Sequence, residues 1–181
     1  MSDLPTCRRK VYPRMTLDGL LQNARALRQG MQASLIREAL KPHENEILEQ
    51  QRIQLLEGKD SQGKDMHPFY SEDIKPRGWF NTKESAKRYA DWKQTISYPY
   101  SVQRKADAPN LYITGVFHDD LGLDLGADSV KVIPDTAYAA NIMAKYRTEA
   151  FGLSMEKWKI IFDEKGAKDD LIKLIRETLW Q

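Results

Sequence analysis

The chain has few of the residues that build cross-linked or reactive sites. Its 181 residues contain one cysteine, Cys7, so no internal disulfide can form, and we expect synthesis in a reducing, cytosolic compartment. No two of its three histidines, His43, His67 and His118, have the i, i+4 spacing that puts two ligands on one helix face. Because a zinc site needs three or four converging ligands, the sequence predicts no metal and no cofactor.

Long apolar runs and strong charge are also missing. The longest apolar runs have three or four residues, too short to cross a bilayer, and residues 1–15 lack the apolar segment of a signal peptide. The net charge of +2 is too small to indicate nucleic acid or an anionic membrane as the main partner. We therefore expect no membrane partner and at most incidental contact with DNA.

What remains is the composition of an ordinary folded protein. The chain is 41% hydrophobic and 30% charged, which allows a core, and its length suits one domain. We predict a single α+β domain over residues 16–181, with a loop and helix insertion at about 71–109 and an extended arm over 1–15.

The arm is basic and shows no periodicity. Pro5 and Pro13 oppose regular structure there, and both an arm that orders against a partner and a disordered leader fit the pattern. Its candidate contact residues are Arg8, Arg9, Lys10 and Tyr12.

Helical periodicity covers much of the domain. Thr16 is a good N-cap, and apolar residues at spacings of three and four predict two helices, or one kinked helix, over 16–57. Pro42 breaks or kinks this region because it lacks an N–H donor. Further helices are predicted over 83–96, over 136–147 and from Ser154 onward, the last with an interruption at Gly166.

A β-hairpin is predicted between the helices over 83–96 and 136–147. Residues 121–126 and 129–134 alternate apolar with polar or glycine positions around the turn Gly126-Ala127-Asp128. Residues 111–117 fit a strand or one helical turn, and we expect them to add a third strand. The long N-terminal helical region and the C-terminal helix then pack on a small antiparallel sheet, which needs neighbours because so few strands are marginal alone.

Two motifs are candidate chemical sites. Gly58, Gly63 and Lys64 have phosphate-loop spacing, but Asp65 stands where Ser or Thr is needed and Pro68 disrupts a following helix, so we predict a turn.

The second motif is His118-Asp119-Asp120, which we interpret as a solvated segment leading into the hairpin. A small hydrolase with a site there is the alternative, although no G-x-S-x-G occurs and Cys7 lies in the arm. We predict that the chain is not an enzyme.

Aromatic residues in polar loops indicate packing against a neighbour. The candidate interface residues are Phe69, Tyr70, Trp79, Phe80 and Trp92. Segment 75–105 also interleaves cations with aromatics, so a nucleic-acid-binding accessory protein is the alternative function. The residues of this pattern are Lys75, Arg77, Trp79, Lys83, Lys87, Arg88, Tyr89, Trp92, Lys93, Tyr98, Tyr100, Arg104 and Lys105.

The order of short motifs adds a resemblance. Thr114-Gly115, a hairpin, Tyr138-Ala139, Phe151-Gly152 and a final amphipathic helix follow one another. In this order, and in a long first helix followed by a G-x-x-x-x-G loop, the chain resembles the head–tail connector and tail-completion proteins of tailed bacteriophages, also called virion morphogenesis proteins.

The resemblance covers roughly 16–70 and 110–180. It implies a structural virion protein without catalytic residues, made in the host bacterial cytoplasm and assembled as an oligomeric ring at the neck or tail. Its partners would be further copies of itself and adjoining portal, neck or tail proteins. The insertion and the basic arm depart from the family pattern, which leaves ring order and head or tail placement open.

Overall fold

The computed structural model describes residues 17–26, 32–126, 129–137, 139–147 and 150–180, and it confirms the predicted α+β class. Helices dominate, and the sheet has two strands. In chain order the elements are α1 (Leu17–Ala26), α2 (Gln32–Leu40), α3 (Glu44–Leu56), α4 (Lys83–Gln94), α5 (Val116–Asp119), β1 (Leu121–Leu125), β2 (Val130–Pro134), α6 (Ala139–Tyr146), α7 (Met155–Lys159) and α8 (Ala167–Leu179).

The N-terminal helices enclose one end of the molecule together with α8. Pro42 lies in a 3-10 turn between α2 and α3, as expected for a residue that cannot donate within a helix. Both α1 and α2 pack against α8. Asn23 Nδ2 donates to the Leu179 carbonyl at 3.3 Å, and His43 Nε2 lies 3.0 Å from an Asp170 carboxylate oxygen. The predicted cap Thr16 lies outside the described residues.

The predicted hairpin is present, although the third strand is not. β1 and β2 pair antiparallel with Leu123 opposite Val132 and Gly122 opposite Ile133. Leu121 and Val132 face the core, so the alternate positions, including Ile133, face away from it. The turn residues Ala127 and Asp128 lie outside the described residues.

The prediction of a strand over 111–117 was wrong. Leu111 has φ +53° and Gly115 has φ +94°, and neither value is compatible with a strand. Gly115 instead starts the short helix α5, and its left-handed conformation is one that glycine adopts without steric cost. Residues 111–117 are therefore an irregular segment that leads into one helical turn, α5.

Capping residues fix the helices of the second half. The Thr82 side chain accepts from Ser85 N at 3.1 Å, while Ser85 Oγ accepts from Thr82 N, which makes a capping box for α4. Ser154 caps α7 as predicted. The predicted interruption near Gly166 is also found, because a π-helical turn, Ile160–Glu164, and Gly166 at φ +91° separate α7 from α8.

Two glutamines join α3 to the extended segment before α7. Gln51 Oε1 accepts from Gly152 N at 2.8 Å, and Gln54 Oε1 accepts from Ser154 N at 2.8 Å. Gln54 Nε2 also donates to the Gly152 carbonyl at 2.8 Å. Both side chains are buried, and they satisfy backbone groups that would otherwise lack partners. We call the part of the domain outside the insertion the body. Its two apolar clusters both contain residues of α3 and of 150–153.

Candidate functional site

A cavity of about 380 Å³ opens between the insertion and the rest of the domain. Tyr70, Trp79, Phe80 and Tyr89 form its wall on the insertion side. On the opposite side the wall comes from α5, from α6 and from the irregular segment that precedes α5, and its apolar side chains are Leu111, Ile113, Phe117, Ile142 and Tyr146. The volume and the mostly apolar walls are those of a site that receives a side chain or a small ligand.

The insertion holds its aromatic side chains by edge and tilted contacts between rings. Tyr70 and Tyr89 have centroids 5.1 Å apart at 85°, and Phe80 lies 5.3 Å from Tyr89. Tyr89 continues to Trp92, 5.4 Å away. Burial raises the pKa of the Tyr70 and Tyr89 hydroxyls, so both stay neutral near neutral pH. Edge contacts of this kind fix the orientation of the wall.

A tight turn presents Trp79 at the mouth of the cavity. Phe80 N donates to the Asp73 carbonyl at 2.9 Å, and Trp79 N donates to the Asp73 carboxylate at 3.2 Å. A Cβ at Gly78 would overlap the Asp73 backbone, so the turn requires glycine at this position. The Trp79 side chain is 64% exposed as a result.

An ion pair joins this turn to α6. Lys145 Nζ contacts the Asp73 carboxylate and lies 3.8 Å from the centroid of the Trp79 ring. The Asp73 and Lys145 side chains are both largely buried. The pair therefore orients Trp79 through a cation–π contact while it ties the insertion to the body.

Lys93 is an unusual member of the cavity wall. It is 1% exposed, and its Nζ donates to the Tyr112 carbonyl. Burial, and then the Arg104 guanidinium, lower the pKa of Lys93 to about 7. The sequence analysis listed Lys93 among the cations of the basic-aromatic segment, and the structure shows that it is buried.

The interpretation of His118-Asp119-Asp120 as a solvated lead-in to the hairpin was wrong for His118. His118 is buried in α5, and its Nε2 lies 3.0 Å from the Asn110 carbonyl. Burial lowers the pKa of His118 to about 4, so the ring is neutral at neutral pH. Asp119 and Asp120 are exposed. The three residues therefore occupy different environments.

The glycine loop after α3 is a closed turn. The Asp60 carboxylate accepts from the backbone N–H groups of Gln62 and Lys64 at 2.9 Å each, and Lys59 bridges to Asp65 across the loop. Lys59 and Lys105 both contact the Asp65 carboxylate, and Lys105 first, then Lys59, lower its pKa. The amides that a phosphate would need are thus used by Asp60.

The structure brings together some of the predicted interface residues. Tyr70, Trp79 and Phe80 share the cavity wall, whereas the Phe69 ring lies tilted against His67, with the two centroids 4.1 Å apart. Trp92 adjoins the wall through Tyr89 and is 45% exposed. The predicted arm contacts Arg8, Arg9, Lys10 and Tyr12 lie outside the described residues.

Sequence reasoning missed the side of the cavity that lies outside the insertion. Ile113 and Phe117 were assigned to a strand, and Ile142 and Tyr146 to the helix predicted over 136–147, with no sign that the two segments meet. Asp73 and Lys145 are far apart in sequence, so no local sequence pattern predicts that they form an ion pair.

Within the described residues, no cluster of three or more His, Cys, Asp or Glu could hold a metal ion. No helix in this part of the chain has both the length and the apolar character of a membrane span. The chain matches no protein-family model, no curated protein and no solved structure.

Proposed function

We propose that the chain is a structural protein of a tailed-bacteriophage virion that acts at the neck or tail through protein–protein contacts. The observation that carries this proposal is an apolar surface left open around the cavity. We call these residues the apolar rim and define it as Trp79, Trp92, Ile113 and Val116, which are between 45% and 64% exposed. Trp79 and Ile113 line the cavity, Trp92 packs on the wall residue Tyr89, and Val116 lies in sequence between the wall residues Gly115 and Phe117. Large contiguous apolar surfaces with a polar surround are typical of docking sites.

The two-stranded sheet supports the same role. In the described part of the chain, β1 and β2 pair only with each other, so each has an outer edge without a strand partner. Such edges are available for pairing with another chain. A protein that works inside an assembly can have its open edges covered by neighbours.

The order of elements also supports the proposal. Thr114-Gly115 precedes α5, the hairpin follows, α6 comes next, and Phe151-Gly152 leads into α7 and α8. This is the order on which the resemblance to head–tail connector and tail-completion proteins rests. The proposed partners are further copies of the chain and adjoining portal, neck or tail proteins, and the proposed location is the virion.

Particle composition tests the proposal. Mass spectrometry of virions purified from the phage that carries this gene should find the chain at a fixed number of copies per particle. A nonsense mutation in the gene should yield separate heads and tails, and the intact gene supplied in trans should restore joined particles. Purified virions that lack the chain would overturn the proposal, and so would infectious particles that form without it.

A nucleic-acid-binding accessory protein is the second candidate, because Lys75, Arg77, Lys83, Lys87 and Arg88 of the insertion are exposed beside two exposed tryptophans. Other members of the segment are used internally. Lys93 is buried, Arg104 donates to backbone carbonyls, and Lys105 pairs with Asp65.

The salt dependence of single-stranded DNA binding separates the two candidates. A steep slope that becomes shallower by about one for each lysine removed would favour DNA binding. Binding that is weak and independent of those lysines would favour the virion role.

A further inference from the structure

Charge is divided unevenly between two segments of the domain. The hairpin region 119–135 contains five aspartates and one lysine. The insertion 71–109 contains eight Lys and Arg against five Asp and Glu. Since the whole chain is nearly neutral at +2, these two segments are complementary in sign.

Exposure strengthens this contrast. The insertion's exposed cations are Lys75, Arg77, Lys83, Lys87, Arg88 and Lys105, and its exposed acids are Glu72, Glu84 and Asp91. On the hairpin and its ends the exposed acids are Asp120, Asp124 and Asp135, with Lys131 as the exposed cation, whereas Asp119 lies on α5 beside Gly115 of the cavity wall. Opposite surfaces of this kind attract each other between copies of one chain.

The hairpin also has an apolar knob. Ile133 faces away from the core and is 46% exposed. Its cross-strand partner is Gly122, which has no side chain to cover it. Asp135 and the Asp124–Lys131 pair flank it on the same strands, so the knob stands in an acidic surround.

The receiving site is the cavity with its apolar rim. At about 380 Å³ it exceeds the volume of one isoleucine side chain, and Trp79 at its mouth is two positions from the exposed Arg77. We propose that the acidic hairpin of one copy docks on the basic insertion of the next, with Ile133 anchored in the cavity beside Trp79. The inference deepens the proposed virion role and rests on it.

Ile133 and the cavity lie on opposite sides of the hairpin. Phe117 lines the cavity and packs with Leu121 and Val132, on the inner face of the sheet. Ile133 alternates with Val132 and therefore faces the other way. A molecule with the two halves of a contact on different faces associates head to tail, which closes into a ring or continues as a filament.

Complementation between two broken variants tests this arrangement. The rim variant is Trp79→Ala and the knob variant is Ile133→Thr, which keeps a β-branched residue in the strand. Each variant alone should associate at least about thirtyfold more weakly than the wild type, as expected when a buried anchor is truncated. A mixture of the two should form a complex of one copy of each, because one intact hairpin still meets one intact rim.

Matched controls remove exposed apolar side chains elsewhere. Trp180→Ala and Met155→Thr change residues that are 50% and 75% exposed and that belong to neither surface. Both should assemble as the wild type does in analytical ultracentrifugation. Circular dichroism of all four variants verifies that loss of assembly is not loss of folding.

Three outcomes overturn the inference. A folded wild type that stays monomeric at millimolar concentration is the first. The second is a mixture of the two broken variants that does not associate, which indicates a self-complementary contact. The third is association unaffected by Arg77→Glu, Asp135→Lys or added salt, because the charges then contribute nothing.

The virion role has a separate readout. If purified particles contain the chain but the isolated protein never pairs hairpin to insertion, the virion role stands and the proposed contact is wrong. If the protein forms the head-to-tail complex in vitro but is absent from particles, the contact stands and the virion role is wrong.

Discussion

The body and the insertion differ in the contacts that stabilise them. In the body, α3 satisfies the backbone of 150–154 with the buried side chains of Gln51 and Gln54. In the insertion, a cluster around Tyr70, Ala86 and Ala90 is closed by partly buried aromatics and leaves a cavity beside it. The polar groups of this joint are matched by one another, whereas the insertion keeps Trp79 and Trp92 exposed.

The buried joint of the body contributes to stability, whereas the exposed aromatic side chains of the insertion are available for binding. A buried polar joint is costly to disturb, because each group depends on one partner. An exposed aromatic side chain has lost little water-accessible surface, so its removal changes little in the isolated molecule. Substitutions in the two regions should therefore have different consequences, and the predictions below run from the largest effect to the smallest.

Gln54→Leu should be the most damaging. It leaves Ser154 N–H and the Gly152 carbonyl without their side-chain partner. Orphaning two buried groups should lower the free energy of unfolding by about 4 kcal/mol. Urea denaturation measures this value. The control is Gln22→Leu, an exposed position on α1 that should change stability by less than about 0.5 kcal/mol. Equal effects at both positions would contradict the body's dependence on its polar joint.

Lys145→Met should come next, because it breaks the connection between the two regions. The Asp73 carboxylate would remain buried without its cation, at a cost of about 3 kcal/mol. Trp79 fluorescence should also shift, since Lys145 lies over its ring. The double variant Asp73→Asn with Lys145→Met should recover part of the loss, and a double-mutant cycle measures the coupling. Additive effects would show that the pair does not hold the insertion.

Lys93→Met should stabilise the protein. The pKa of Lys93 falls from 10.5 to about 7 on folding, so between these values the unfolded chain binds a proton that the folded chain does not. Stability of the wild type therefore falls as pH drops through this window, by up to about 1.4 kcal/mol per pH unit.

The variant lacks that slope, so its advantage should be largest near pH 7 and disappear above pH 10.5. Arg104, Tyr112 and His118 are the polar groups near the Lys93 amine, and they are unchanged in the variant. Thermal unfolding at a series of pH values checks this, with Lys87→Met on the exposed face of α4 as the control. Parallel pH profiles for wild type and Lys93→Met would refute it.

The sequence predicted the parts of the fold that depend on local signals. Pro42, Thr82, Ser154 and Gly166 end or begin helices where expected, because caps and breakers act over a few residues. The strand predicted over 111–117 failed for a local reason too, since alternation alone cannot reveal the left-handed Leu111.

Contacts between distant residues were not predictable from the sequence. Buried glutamines look like solvated ones on a helix, and Lys93 resembles the lysines around it. The pairing of Asp73 with Lys145 and of Gln54 with Ser154 is visible only once the chain is folded. The aromatic content of the insertion was predictable, and its arrangement around a cavity was not.

Trp79→Ala should have the smallest effect on stability. The side chain is 64% exposed, and its cation–π contact with Lys145 contributes about 0.5 kcal/mol at a site this open. Tyr70→Ala is the matched contrast in the same cluster, because Tyr70 is 6% exposed and its loss should cost about 3 kcal/mol. Denaturation of both variants in dilute solution, where copies do not associate, gives the comparison. If Trp79→Ala cost as much as Tyr70→Ala, Trp79 would be part of the insertion's core, and the apolar rim would lose its central residue.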